Sequence, residues 1–182
     1  MSFADKLSIL RIILIPLFVS FLIYSRAHPY LKYIALGIFG LAVLSDFFDG
    51  LVARIKKEKS EIGKVIDPLA DKLLLLTAFL CLYFLKEFSI PPWVVLIVVS
   101  RDLIILLGVL ILHFLKIEVP IVPSVWGKLT TFFQMFTILS VLLDLKFAFI
   151  IWSIAVFFTV VSGIGYIMRG VRSINVASSH SY

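Results

Sequence analysis

The sequence predicts an all-α integral membrane protein, a bundle of six transmembrane helices with both termini in the cytoplasm. Three observations predict it. Hydrophobic residues fill 62% of the 182 positions and charged residues only 15%, with a mean hydropathy of +1.13. Soluble domains run to about 45–50% apolar and about 25% charged, and a globule of this length cannot hide so much apolar surface from water. The apolar residues fall in uncharged runs, at 12–25, 33–45, 73–85, 88–100, 103–115, 129–143 and 147–168. The basic residues are shared unevenly among the joins, which sets an orientation. Disordered, collagen-like and coiled-coil readings fail on the same composition, and 9 Gly and 7 Pro mark no low-complexity tract. The lone Cys81 excludes a disulfide framework and a cysteine-based metal site.

Only 147–168 is long enough alone to span a bilayer, which takes about 20 residues. The other runs become full spans when Arg11, Asp46, Asp49, Lys72 and the Arg101-Asp102 pair lie at or below the membrane surface. Merged so, the helices fall at roughly 6–25, 30–54, 64–86, 92–115, 126–143 and 147–169. Pro91-Pro92, Pro120 and Pro123 sit at the joins, where a missing N–H does least harm. Pro16 lies inside the first helix, which membrane helices tolerate. Lys6 and Arg11 ahead of an apolar stretch are ordered as in a signal peptide. Pro16, the lack of a small-x-small site near 23–26 and the spans that follow argue instead for a retained first helix.

The join between the second and third helices carries Arg54, Lys56, Lys57, Lys59 and Lys64. Even counting puts Lys6, Lys116, Lys128, Arg169 and Arg172 on that side, against Arg26, Lys32, Lys86 and Lys146 on the other. The excess assigns both termini and the 54–64 loop to the cytoplasm. Residues 1–172 are expected to form one six-helix domain, and 173–182 a polar, loose C-terminal tail. Trp93, Trp126 and Trp152 are expected interface anchors, and His113 a membrane-boundary residue.

Carboxylates inside a membrane are expensive, and each marks a candidate site. Four lie within 26 residues, in Asp46-x2-Asp49-Gly50-x2-Ala53-Arg54-x8-Gly63-x3-Asp67-x3-Asp71. Spacings of three and four share a helical face, so Asp46 and Asp49 share one, with Ala53 a turn further on, and Asp67 and Asp71 share another. A short loop makes the two helices antiparallel neighbours, so the four acids can converge near the cytoplasmic surface. Four anions at close quarters repel unless cations sit among them. An all-oxygen donor set selects magnesium or manganese over zinc, and four carboxylates suit two ions clamping an in-line phosphoryl displacement. Gly50 and Ala53 are the smallest residues on this face and let a ligand approach the backbone. Arg54 and the loop lysines supply charge for phosphates. Pairing with Lys64, Lys72 and Arg54 would explain two acids, but not four in register.

With eight fixed positions matched, this pattern resembles the signature of the CDP-alcohol phosphotransferase family. The likeness extends to Leu7-Ser-Ile-Leu-Arg11-Ile-Ile-Leu-Ile-Pro16, Asp67-Pro-Leu-Ala-Asp-Lys72, Ser100-Arg101-Asp102, Gly127-Lys128 to Gln134, and Ser162-Gly163. It implies an enzyme of phospholipid biosynthesis that moves the phosphatidyl group of CDP-diacylglycerol to an alcohol and releases CMP. It implies that Asp46, Asp49, Asp67 and Asp71 are the ligands of two Mg2+ or Mn2+ ions, and that Asp71 also takes the acceptor hydroxyl proton. Gly50, Ala53, Arg54 and Ser60 fall where the family holds the CDP moiety, with Ser8 and Arg11 near the same nucleotide. Asp5 departs from the Asn that relatives often carry. A homodimer in the inner (plasma) membrane, with its active site facing the cytoplasm, is implied as well; nucleic acid is not an expected partner.

Arg101, midway along the fourth helix, and Lys128, opening the fifth, suit an acceptor that bears a phosphate. Asp102 points about 100° away round the helix and is not the obvious partner of Arg101. Family members that use glycerol 3-phosphate share the opening, the Asp67–Lys72 stretch and a Gly-Lys before Thr and Gln. They usually carry Arg-Glu in the fourth helix, with a further Arg and Lys where this chain has Gly108 and Thr130. The CMP-forming cardiolipin synthases, whose acceptor is phosphatidylglycerol, usually carry Arg-Asp and a Pro-Ser/Thr before the Lys, as in Arg101-Asp102 and Pro123-Ser124. The whole-chain likeness implies glycerol 3-phosphate, with phosphatidylglycerol as the alternative. A transporter calls for pore-lining polar residues on several helices, and often an internal repeat; neither is expected here. A purely structural membrane protein has no reason to keep four acids in register.

Overall fold

The computed structural model describes residues 3–56, 63–85, 90–114 and 125–179. Among them stand six α-helices and no strand: α1 (Phe3–Tyr24), α2 (Leu31–Lys56), α3 (Gly63–Phe84), α4 (Pro92–Phe114), α5 (Val125–Leu142) and α6 (Ala148–Ser179). Val125–Leu142 and Ala148–Gly170 are long and apolar enough to cross a membrane, whereas Ile9–Tyr24, Leu31–Ser45 and Lys72–Phe84 are shorter apolar stretches. Large apolar side chains stand exposed along the helices, Leu96, Phe157 and Met168 by 60–70%, which suits acyl chains and not water. One expectation needs correcting: α6 does not stop near 169 but runs to Ser179, so most of the tail expected to be loose is helical. No Gly or Pro interrupts 171–179, and nothing there forces the chain out of the helix.

The chain divides into two compact units, residues 1–90 with 138–145, and residues 91–137 with 146–182. In the first, α1 packs on both α2 and α3. Its buried face is Arg11, Phe18, Leu22 and Ser25, spaced seven, four and three apart, as a 3.6-residue period requires. Ala35, Phe39 and Ala42 of α2, and Ala70, Leu74, Ala78 and Leu82 of α3, are buried in turn. In lipid, where the tails are as apolar as leucine, helices hold by close packing, and small residues permit it. Pro16 sits inside α1, and Ser20 Oγ donates to its carbonyl at 2.8 Å.

The joins of this unit are tied by polar groups. Arg26 Nη2 donates to the Leu85 carbonyl at 2.5 Å and to that of Phe84 at 3.4 Å, placing a cation on the carbonyl end of α3, where the helix dipole favours it. The end of α5 closes on Asp144, whose φ is 51°. Leu145 N–H donates to Ser140 O at 3.0 Å and Asp144 N–H to Val141 O at 3.1 Å, the Schellman pair of bonds with aspartate where glycine is usual. The Asp144 carboxylate pairs with Lys32 Nζ.

In the second unit α4 packs on α6. Trp93 and Trp152 meet edge-on, with ring centroids 5.3 Å apart, and Phe133 stacks on Phe158 at 5.0 Å. Trp93 and Trp126 are about half exposed, as interface anchors should be.

Candidate functional site

Two contacts set the register of the first unit. Phe18 and Phe39 lie 5.6 Å apart between ring centroids, and the short 25–30 join makes α1 and α2 antiparallel. Two turns from each, toward the start of α1 and the end of α2, Arg11 and Asp46 stand at one level. Arg26 meets the end of α3 at Leu85, and these helices run parallel, so the same fifteen-residue step back from each brings Arg11 level with Ala70, between Asp67 and Asp71. At 1.5 Å per residue, Asp46 lies about 15 Å from the end of α2, and Asp71 about 12 Å from the start of α3. By backbone register these positions of α2 and α3 each fall near the level of Arg11. Arg11 itself is fully buried.

Asp46, Asp49, Gly50, Ala53 and Arg54 are on α2, Asp67 and Asp71 on α3, and Ser8 on α1; their side chains lie outside the described residues. Ser60 falls outside them altogether. Arg101 and Lys128 belong to the second unit. Lys128 is exposed on α5, with no ion pair or hydrogen bond among the described residues.

Arg101 is 7% exposed and firmly held. Its Nη1 donates to Asp102 Oδ1 at 2.6 Å and its Nη2 to Ser162 Oγ of α6 at 2.7 Å. The expectation that Asp102 is not its partner is corrected. Helix geometry separates neighbouring Cβ atoms by about 100°, but the four-bond arginine stem reaches back across that angle. In a low-dielectric interior an unpaired guanidinium costs too much for it to do otherwise. Both side chains are nearly as buried, at 8% and 11% exposure. Arg101 Nε is also buried and has no partner among the described residues.

The sequence reading missed the polar seam that continues from Ser162. Thr130, Gln134 and Thr137 are buried on α5, and Thr159 and Ser162 on α6. Thr130 Oγ1 donates to Phe158 O at 2.9 Å, Gln134 Nε2 to Thr159 Oγ1 at 3.3 Å, and Thr159 Oγ1 to Ala155 O at 2.6 Å. Gln134 Oε1 is buried without a partner. Interior polar residues are therefore present on α5 and α6, most of them bonded to backbone carbonyls of these helices. Their spacing of four and three along apolar helices was the available signal.

The family described as CDP-alcohol phosphatidyltransferase matches residues 1–161. The chain is 33% identical over 180 residues to a probable phosphatidylglycerophosphate synthase of Mycobacterium tuberculosis, covering 95% of this chain and 83% of that one. It is 30% identical over 182 residues to the CDP-diacylglycerol–glycerol-3-phosphate 3-phosphatidyltransferase of Aquifex aeolicus, covering 96% and 98%. To the protein of the same name in Rickettsia bellii it is 34% identical over 173 residues, covering 89% and 91%.

Proposed function

The chain belongs to the CDP-alcohol phosphatidyltransferase family, and from that we propose that it transfers the phosphatidyl group of CDP-diacylglycerol to glycerol 3-phosphate, forming phosphatidylglycerophosphate and CMP. What supports this reading is the pattern of four carboxylates, Asp46 and Asp49 on α2 and Asp67 and Asp71 on α3, at spacings of three and four that share helical faces. The relatives' names supply the acceptor.

The donor set fits two hard divalent ions, because all four residues offer carboxylate oxygen. When bound, Mg2+ or Mn2+ at these residues supplies positive charge to the donor diphosphate and to the departing CMP. The chain's own residues do the rest. Gly50 and Ala53 admit the nucleotide against the backbone of α2, and Arg54, Ser60, Ser8 and Arg11 hold the CDP part. The acceptor hydroxyl oxygen attacks the phosphatidyl phosphorus, the bond to the CMP oxygen breaks, and CMP leaves with that electron pair. Asp71 orients the hydroxyl and receives its proton late, since a carboxylate beside divalent ions is a weak base. Arg101 and Lys128 take the acceptor phosphate.

Residues 1–172 act on this reading as one six-span domain with both termini in the cytoplasm, the site opening to that face of the cell's inner membrane, and the protein a homodimer. A second reading has phosphatidylglycerol as acceptor, as in a CMP-forming cardiolipin synthase. The Arg101–Asp102 pair favours it, because it leaves less net positive charge for a phosphomonoester. The deciding assay is CMP release from CDP-diacylglycerol with each acceptor offered alone. Release with glycerol 3-phosphate supports the first reading, and release with phosphatidylglycerol only would replace it.

A further inference from the structure

Ser162 is the hydroxyl that α6 sets against the Arg101 guanidinium. It is 3% exposed and accepts from Nη2 at 2.7 Å, while Asp102 accepts from Nη1 at 2.6 Å. Two of the three nitrogens are thereby fixed from two directions, by groups on different helices. The third, Nε, is buried with no partner among the described residues. A buried donor on a charged group left unmatched is costly, and an anionic oxygen is what would match it. Next to Ser162, Gly163 lies against the arginine stem: a Cβ there would be 3.4 Å from Arg101 Cγ.

We propose that Ser162 is a positioning residue for the acceptor, holding Arg101 so that its Nε–H is presented to the acceptor's phosphate oxygen. The inference rests on Arg101 binding the acceptor, as proposed above. Asp102 lends charge balance from the same helix, one residue away. Ser162 ties the guanidinium to a second helix, and that tie fixes its direction. Without it the guanidinium keeps its charge and its depth and loses its aim.

The test compares wild type, Ser162→Ala and Ser162→Thr in CMP release, varying acceptor and donor concentrations separately, with glycerol 3-phosphate and with phosphatidylglycerol. The expected result is an acceptor KM raised about tenfold in Ser162→Ala, the weight of one charge-assisted hydrogen bond. The donor KM stays within twofold, and Ser162→Thr, which keeps the hydroxyl, returns most of the acceptor affinity. An unchanged acceptor KM in Ser162→Ala, an equal rise in both KM values, or a threonine variant no better than alanine would overturn it. A wild type that releases CMP with phosphatidylglycerol alone overturns the acceptor identity proposed above. In that case the comparison is read on the phosphatidylglycerol KM and still decides the role of Ser162.

Discussion

Lys32 and Asp144 form an ion pair across 112 positions of sequence, joining the first turn of α2 to the turn that ends α5. The pair sets the start of α2 beside the end of α5. It also falls on the one residue other than glycine with a left-handed φ among those described, Asp144.

Two opposing terms meet at that aspartate. Left-handed backbone costs an ordinary residue roughly 1–2 kcal/mol, with Asn and Asp more tolerant. The carboxylate is 64% exposed, so the pair contributes only about 0.2–1 kcal/mol. Asp144→Gly is therefore expected to stay within about 1 kcal/mol of wild type, since a relaxed backbone offsets the lost pair. Asp144→Asn should fall slightly below it, and Asp144→Ala lowest, by about 1–3 kcal/mol. Unfolding midpoints in detergent would check the order. An alanine variant as stable as the glycine one would mean that backbone strain is negligible there.

The sequence announces its helices where charge and proline mark the boundaries. Pro91-Pro92 opens α4 within a residue, and the basic stretch after Arg54 separates α2 from α3. The helices that carry the four acids are legible too: Asp46 and Asp49 fall on α2, and Asp67 and Asp71 on α3. Arg101 was legible as a cation midway along the fourth helix, but its surroundings were not. A 100° separation argues against Asp102 until the length of the arginine stem is counted, and no periodicity selects Ser162 from among the hydroxyls of α6. Asp144 hides for a different reason: Leu-Asp-Leu carries no glycine to signal a left-handed turn. The extension of α6 to Ser179 is the absence of a stop signal, which is harder to read than a stop.

Replacing any one of Asp46, Asp49, Asp67 or Asp71 by Asn keeps size and helix while removing a charge. If the four hold two divalent ions, each variant should insert and purify in normal amount and lose nearly all CMP release. Chelation of the wild type should do the same, with magnesium or manganese restoring it. Full turnover by wild type in EDTA would rule the ions out.

Orientation is open to labelling, because Cys81 is the one cysteine in the chain. In a Cys81→Ala background, Glu58→Cys and Lys146→Cys place single thiols in the second and fifth joins. With both termini cytoplasmic, a membrane-impermeant maleimide applied to intact cells should modify position 146 at once and position 58 only after permeabilisation. The reverse pattern would invert the assignment drawn from the basic residues.

Arg101→Lys asks what the guanidinium does beyond carrying charge. Lysine keeps the cation but offers no planar fork, so it cannot hold Asp102, Ser162 and an acceptor oxygen in the directions that arginine does. Each charge-assisted hydrogen bond contributes about 1.5–3 kcal/mol, and losing one or two should weaken glycerol 3-phosphate binding by roughly ten- to a few hundred-fold. On the proposed reading the donor is held by Ser8, Arg11, Gly50, Ala53, Arg54 and Ser60, so its KM should barely move. With phosphatidylglycerol as acceptor the effect should be smaller, because the acyl chains already hold that molecule in the bilayer. The measurement is CMP release against glycerol 3-phosphate concentration for both proteins. A saturable wild-type curve that shifts to much higher concentration in the variant supports acceptor binding at Arg101. Superimposable curves would assign Arg101 to holding α4 and α6 together, and nothing more.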